Sequence, residues 1–236
     1  MSARLFEPGT FAAMLILSVD RPLPPSSVQT APPARGLLAA VRRASGAAAR
    51  FTAAVRADHA LVRQAAIKYG SRPGEPESFP GALVQKVGLQ MMTAYRIMRL
   101  LSTAGVPLAP KIVSRLIRHA YGADIHWDAE LAPGVMIVHG MGIAVTHAAR
   151  VGPGVVLSQN VTIGLGRHPE TCETGGPTVE ENVFIGPGAT LLGPITIGAG
   201  SKIMPGCVVV RSVPPDSIVV AATPVVKPRS RVLRAS

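Results

Sequence analysis

An aliphatic side chain recurs with a period of six through the second half of the chain. It falls on Ile125, Leu131, Ile137, Val145, Val151, Leu157 and Ile163 and, after a polar segment, on Val179, Ile185, Leu191, Ile197, Ile203 and Val209. A helix repeats near 3.6 residues and a strand near 2, so neither produces this spacing. Short flat strands, separated by tight corners and wound about a narrow apolar axis, do produce it, and the pattern predicts a parallel β-helix. Glycine marks the corners: Gly134, Gly154, Gly188, Gly200 and Gly206 each fall three residues after a beat position, where the backbone angles resist a Cβ. The residue four after a beat position is compact (Val135, Val155, Val161, Val183, Ala189, Ser201, Cys207), as little room along the axis requires.

The first half has a different pattern. Residues 34–69 are rich in Ala, Leu and Arg without proline and predict one helix or two, with an interruption around Ser45 and Gly46. The stretch 71–80 breaks that helix. A second is predicted over 82–102 with Val84, Val87, Met91, Ala94, Ile97 and Leu101 on its buried face, and a third over 109–119. Met91, Met92 and Met98 read as packing residues. Five prolines between Pro22 and Pro33 suggest an unstructured leader. The expected organisation is a disordered leader over 1–35, a helical domain over 36–120, the β-helix over 121–215 and a tail over 216–236.

Composition narrows the function classes. The chain has 236 residues and a net charge of +11. Residues 1–120 hold 16 Lys and Arg against 5 Asp and Glu, whereas residues 121–236 hold 8 against 8. No nucleic-acid module and no run of aromatic platforms accompanies the basic half, so a solvated helical face is the expectation and nucleic acid is not an expected partner. The apolar run 11–19 is shorter than the roughly 20 residues a bilayer-spanning helix needs and lacks the flanks of a signal peptide. Cys172 and Cys207 form neither a disulfide framework nor a metal-ligand spacing, which makes a reducing cytoplasm the default.

The beat slips once. Ile137 and Val145 lie eight residues apart, and the two extra residues sit in His139-Gly140-Met141-Gly142. A β-helix encloses no cavity, so ligands bind on its outside or between subunits, and a histidine on a glycine-flanked bulge is a candidate for such a cleft.

The segments Asp124-Ile125-His126, Gly134 to His139 and Gly142-Ile143-Ala144-Val145 resemble the catalytic stretch of serine acetyltransferases, a family of hexapeptide-repeat acyltransferases built on a left-handed β-helix. Gln159 to Gly164, the hexads from Val179 to Gly206, the exit Val208 to Pro215 and, upstream, Ala94-Tyr95-Arg96-Ile97 follow that family in order. The resemblance implies an acetyl-CoA-dependent O-acetyltransferase with L-serine as acceptor, acting in cysteine biosynthesis, with acetyl-CoA as co-substrate and no metal. His139 matches the catalytic general base and Asp124 its carboxylate partner. Gly164, Lys202, Ala222 and Lys227 match the CoA-contacting region, although Ala222 stands where the family usually has glycine. Arg167 and His168, in the polar loop 165–178, resemble an Arg-His pair that holds the substrate carboxylate. Aligned from Pro177-Thr178-Val179, however, Gly175 and Gly176 occupy that position. Asp58 corresponds to an acceptor-binding aspartate of the helical part, and Val138 replaces a second one. The resemblance further implies a trimer or a dimer of trimers, and an O-acetylserine sulfhydrylase-type partner.

Three other readings stand beside this one. A sugar or polysaccharide hydroxyl is the alternative acceptor. A γ-type carbonic anhydrase-like metal protein would draw on His126, His139, His147 and His168. A solenoid can also serve as a non-catalytic scaffold.

Overall fold

The computed structural model describes residues 37–69, 78–168 and 171–222. Among these residues four helices come first: α1 (Leu37–Tyr69), α2 (Phe79–Gln85), α3 (Val87–Thr103) and α4 (Ala109–Tyr121). Sixteen short strands follow, from β1 (Asp124–Ile125) to β16 (Ile218–Val219). Three parallel sheets form the faces of a prism. The first face stacks β1, β4 (Ala144–Val145), β7 (Thr162–Gly164), β12 (Thr190–Leu192) and β15 (Val208–Val209). The second stacks β2 (Glu130–Leu131), β5 (Arg150–Val151), β10 (Thr178–Val179) and β13 (Thr196–Ile197). The third stacks β3 (Met136–Ile137), β6 (Val156–Leu157), β11 (Phe184–Ile185), β14 (Lys202–Ile203) and β16.

Every beat residue points inward and is buried. Each fully buried Val, Leu or Ile contributes about 1.5–3 kcal/mol, so the axis is the main source of stability. The one polar residue on the axis, Ser201, spends its hydroxyl on the Pro214 carbonyl at 2.9 Å and accepts the Ser217 N–H at 3.1 Å.

The register counts the coil length. Partners on adjacent coils are 18 residues apart where the repeat is regular, as in Thr178 with Thr196 and Phe184 with Lys202. They are 20 apart across the first coil, as in Asp124 with Ala144 and Met136 with Val156. They are 28 apart where the polar segment intrudes, as in Val156 with Phe184. The bulge at His139 therefore adds two residues to a coil without disturbing the stack above it.

The helical half departs from the expected pattern in three ways. First, α1 runs unbroken through Ser45 and Gly46. Second, the predicted 82–102 helix is two helices, because Lys86 takes extended backbone angles and resets the periodicity. Third, the buried face is carried by Met91, Met92, Tyr95 and Met98, while Val84 is 78% exposed and Ile97 37%. Val87, Met91 and Ala94 of the expected face do pack on the core, but the stripe is rotated from the aliphatic one because the prism also buries polar-tipped residues here. Tyr95 donates its hydroxyl to the Ala129 carbonyl at 2.5 Å and accepts the Leu131 N–H at 3.2 Å. The prism also extends past the expected boundary at 215, since Ile218 pairs with Lys202. The leader and the tail residues from 223 onward, Lys227 included, lie outside the described residues.

Helices and prism pack as one compact unit from Val41 onward. Gly88 makes the closest approach: a methyl there would overlap the Ile137 carbonyl, so α3 rests on the strand that leads to His139.

Candidate active site

The bulge lies at the corner where the third face turns into the first. His139 follows β3, is exposed, and has φ +64°, a left-handed conformation that costs a non-glycine residue roughly 1 kcal/mol or more. The surrounding contacts impose it. The Met141 N–H donates to the His139 carbonyl at 2.8 Å, and the Asn160 N–H of the next coil donates to the Met141 carbonyl at 2.8 Å. A methyl on Gly142 (φ +69°) would overlap the Asn160 side-chain oxygen, and one on Gly140 would overlap the Met91 sulfur. Helix α3 below and the second coil above thus clamp the turn, and the imidazole is presented outward.

Asp124 opens β1 at the same corner, with its N–H donating to the Ile143 carbonyl at 2.7 Å. Its carboxylate is half-exposed and accepts a hydrogen bond from Arg118 of α4 at 2.6 Å. Among the described residues no hydrogen bond or ion pair joins Asp124 to His139; they share a corner of the first coil, not a direct bond. Arg118 was not foreseen. It reads as a basic residue in the last turn of a helix, and only its position six residues before Asp124 hints at the contact.

The opposite edge of the first face carries the other candidates. His126 and Trp127 follow β1 and stack at 4.2 Å between ring centroids, and His147 of the next coil meets His126 edge-on at 5.5 Å. Burial lowers the His126 pKa; Asp128 and, less strongly, Asp124 oppose that shift, and His147 adds to it. Among the described residues, no three His, Cys, Asp or Glu side chains converge as a metal site.

In the third coil the polar segment leaves this edge as a hairpin, β8 (Gly166–Arg167) antiparallel to β9 (Thr174–Gly175). Arg167 Nε donates to the Cys172 carbonyl at 2.9 Å, and His168 Nδ1 accepts the Thr171 N–H at 3.2 Å. In one chain, Arg167 and His168 are therefore across the width of the first face from His139. Gly175 and Gly176 are packed shut. A methyl on Gly176 would lie 2.7 Å from the Ala148 carbonyl group, so larger side chains are excluded at the aligned Arg-His position.

Asp58 is not available to an acceptor, which corrects the expectation. It is 1% exposed, and its oxygens take Arg96 Nε at 2.9 Å, Arg96 Nη2 at 3.0 Å, and the N–H groups of Gly134 and Val135 at 2.9 and 3.2 Å. The candidate CoA residues do not share one face. Gly164 ends β7 on the first face, whereas Lys202 opens β14 on the third and the exposed Ala222 follows β16. A groove of about 710 Å³ runs between α1, α3 and the second face, but His139 does not line it.

The family model of bacterial transferase hexapeptide (six repeats) matches residues 176–211. A serine acetyltransferase of Synechococcus elongatus is 38% identical over 136 residues, covering 56% of this chain and 54% of the relative. The chain thus spans about half the length of this curated relative. Among solved structures, the Neisseria gonorrhoeae serine acetyltransferase in complex with serine superposes with a TM-score of 0.64 at 27% identity, covering 78% of this chain and 72% of that one. A serine acetyltransferase in complex with CoA superposes with a TM-score of 0.62 at 26% identity, covering 78% of this chain and 74% of that one. The chain has serine acetyltransferases as homologues, and its prism is the left-handed β-helix of their structures.

Proposed function

We propose that this chain is an acetyl-CoA-dependent O-acetyltransferase whose acceptor is L-serine, giving O-acetyl-L-serine and CoA as a step toward cysteine. One observation carries the reading. An exposed imidazole, His139, is held out from the prism by the two-residue bulge at a corner that Asp124 also borders. A neutral hydroxyl is a weak nucleophile. His139 takes the acceptor's proton as its oxygen attacks the thioester carbonyl, and returns that proton to the departing CoA thiolate when the tetrahedral intermediate collapses. Asp124 stabilises the imidazolium formed between these two transfers. No acyl-enzyme is required.

The reading calls for more than one copy of the chain. His139 and the Arg167–His168 hairpin stand at opposite edges of the first face, so they meet only if the corner of one copy faces the hairpin of the next. Exposed Ile112 and Leu116 on α4 and Met141 in the bulge supply apolar surface at the His139 end for that contact. The placing of Gly164 apart from Lys202 and Ala222 likewise suits a CoA lying between copies. A trimer closes such a corner-to-hairpin contact into a ring. Cytoplasmic location and a sulfhydrylase-type partner belong to the same reading; among the described residues no helix is long and apolar enough to cross a membrane.

A second reading, a sugar hydroxyl as acceptor, is favoured by two observations: the residue before His139 is Val138, and Asp58 is sealed by Arg96. Neither leaves a carboxylate for an ammonium group. Thiol release from acetyl-CoA with L-serine, L-homoserine and a panel of sugars separates the two. Turnover on serine that vanishes in His139→Ala supports the first reading, turnover on sugars alone supports the second, and no turnover on any acceptor removes both.

A further inference from the structure

Arg118 stands in the last turn of α4, where a cation also suits the helix dipole. The helix ends at Gly122 in a left-handed cap, two residues before Asp124, and this short connection delivers the guanidinium to the start of β1. Nη2 donates to Asp124 Oδ2 at 2.6 Å. The two side chains are 58% and 49% exposed, and a pair so exposed contributes little to folding stability. Its position is more informative than its strength. Among the described residues nothing else bonds to the Asp124 carboxylate, so one oxygen is occupied and the other is open at the corner that carries His139.

We infer that Arg118 is a positioning residue, fixing the Asp124 carboxylate by one oxygen so that the other addresses the His139 imidazole, and partly offsetting its charge. The inference rests on the reading of Asp124 and His139 given above. Among the described residues, the charged and titratable groups that act on Asp124 are Arg118 from α4 and His126 from its own coil. The second coil presents Ile143 and Ala144 beside it, and α3 meets the bulge through Met91. Without the guanidinium, the carboxylate swings freely and bears its full negative charge. The imidazole then lacks a steady carboxylate behind it while it carries the acceptor's proton, and the transfer slows.

The test compares kcat, KM and the pH profile of acetyl transfer in the full chain for wild type, Arg118→Ala, Arg118→Lys and Arg115→Ala. Arg115 is exposed on the same helix, and among the described residues the ion pair to Asp124 comes from Arg118, so the Arg115 variant controls for lost charge. Arg118→Ala should lower kcat roughly tenfold, a part of the 10²–10⁴ that a positioned acid–base group contributes. It should shift the acid limb of kcat/KM and leave the KM for acetyl-CoA unchanged. Arg118→Lys should restore the position of the limb and part of kcat, and Arg115→Ala should match wild type. An Arg118→Ala enzyme with wild-type kcat and limb overturns the inference, as does one that only melts earlier. Wild-type protein that transfers no acetyl group, or His139→Ala that remains fully active, instead overturns the underlying reading and this inference with it.

Discussion

Arg96 grips Asp58 through both its Nε and Nη2 while its Nη1 and Nη2 also reach the Leu131 and Ala132 carbonyls, each at 2.6 Å. One carboxylate on α1 and one guanidinium on α3 thereby tie two helices to the corner between β2 and β3. Both side chains are buried, so each charge depends on the other for its solvation.

Asp58→Ala leaves Arg96 buried and uncompensated and strands the Gly134 and Val135 N–H groups. The expected loss is about 3–5 kcal/mol by chemical denaturation. Acceptor KM should stay unchanged in whatever fraction folds. A raised acceptor KM at wild-type stability would return Asp58 to the binding site.

Gly142→Ala places a methyl against Asn160 at a positive φ. A cost of about 1–3 kcal/mol follows from the backbone conformation alone. Because the same turn presents His139, kcat should fall more than KM does. Steady-state kinetics beside a melting curve reads both effects.

Stability should fall as the solution is acidified through the histidine range. The His126 pKa is lowered in the folded chain from 6.5, chiefly by burial, and His59 is lowered by burial and by Arg63. Below 6.5 the unfolded chain binds more protons than the folded one at these sites, so their contribution is complete above that pH and is lost as pH drops through the lowered folded values. His126→Gln should flatten that part of the profile in melting temperature against pH.

Mixing inactive His139→Ala chains with inactive Arg167→Ala chains should regain activity if the two side chains act across copies. Refolding the two together and assaying thiol release checks this. Activity no greater than that of the separate variants places the whole site in one chain.

The prism was legible because its cause is local. Each inward aliphatic from Ile125 to Val209 is demanded by one short strand, and the period of six follows from three such strands closing a coil. The slip at His139 was legible for the same reason, since two added residues break the count. The helices were less so. Lys86 ends one helix and begins another with no proline at the break, and the buried stripe includes Tyr95 and Arg96 because carbonyls of the prism accept from their polar ends.

The sequence by itself determined the winding, the axial residues, the bulge and the candidate imidazole, because these depend on spacing along the chain. Only the tertiary structure decided which charges meet. Asp58 went to Arg96 and Asp124 to Arg118, and the Arg167–His168 hairpin went to the edge of the first face away from His139. Those outcomes depend on which surfaces approach when helices pack on a prism, and an exposed and a buried carboxylate look the same in one dimension.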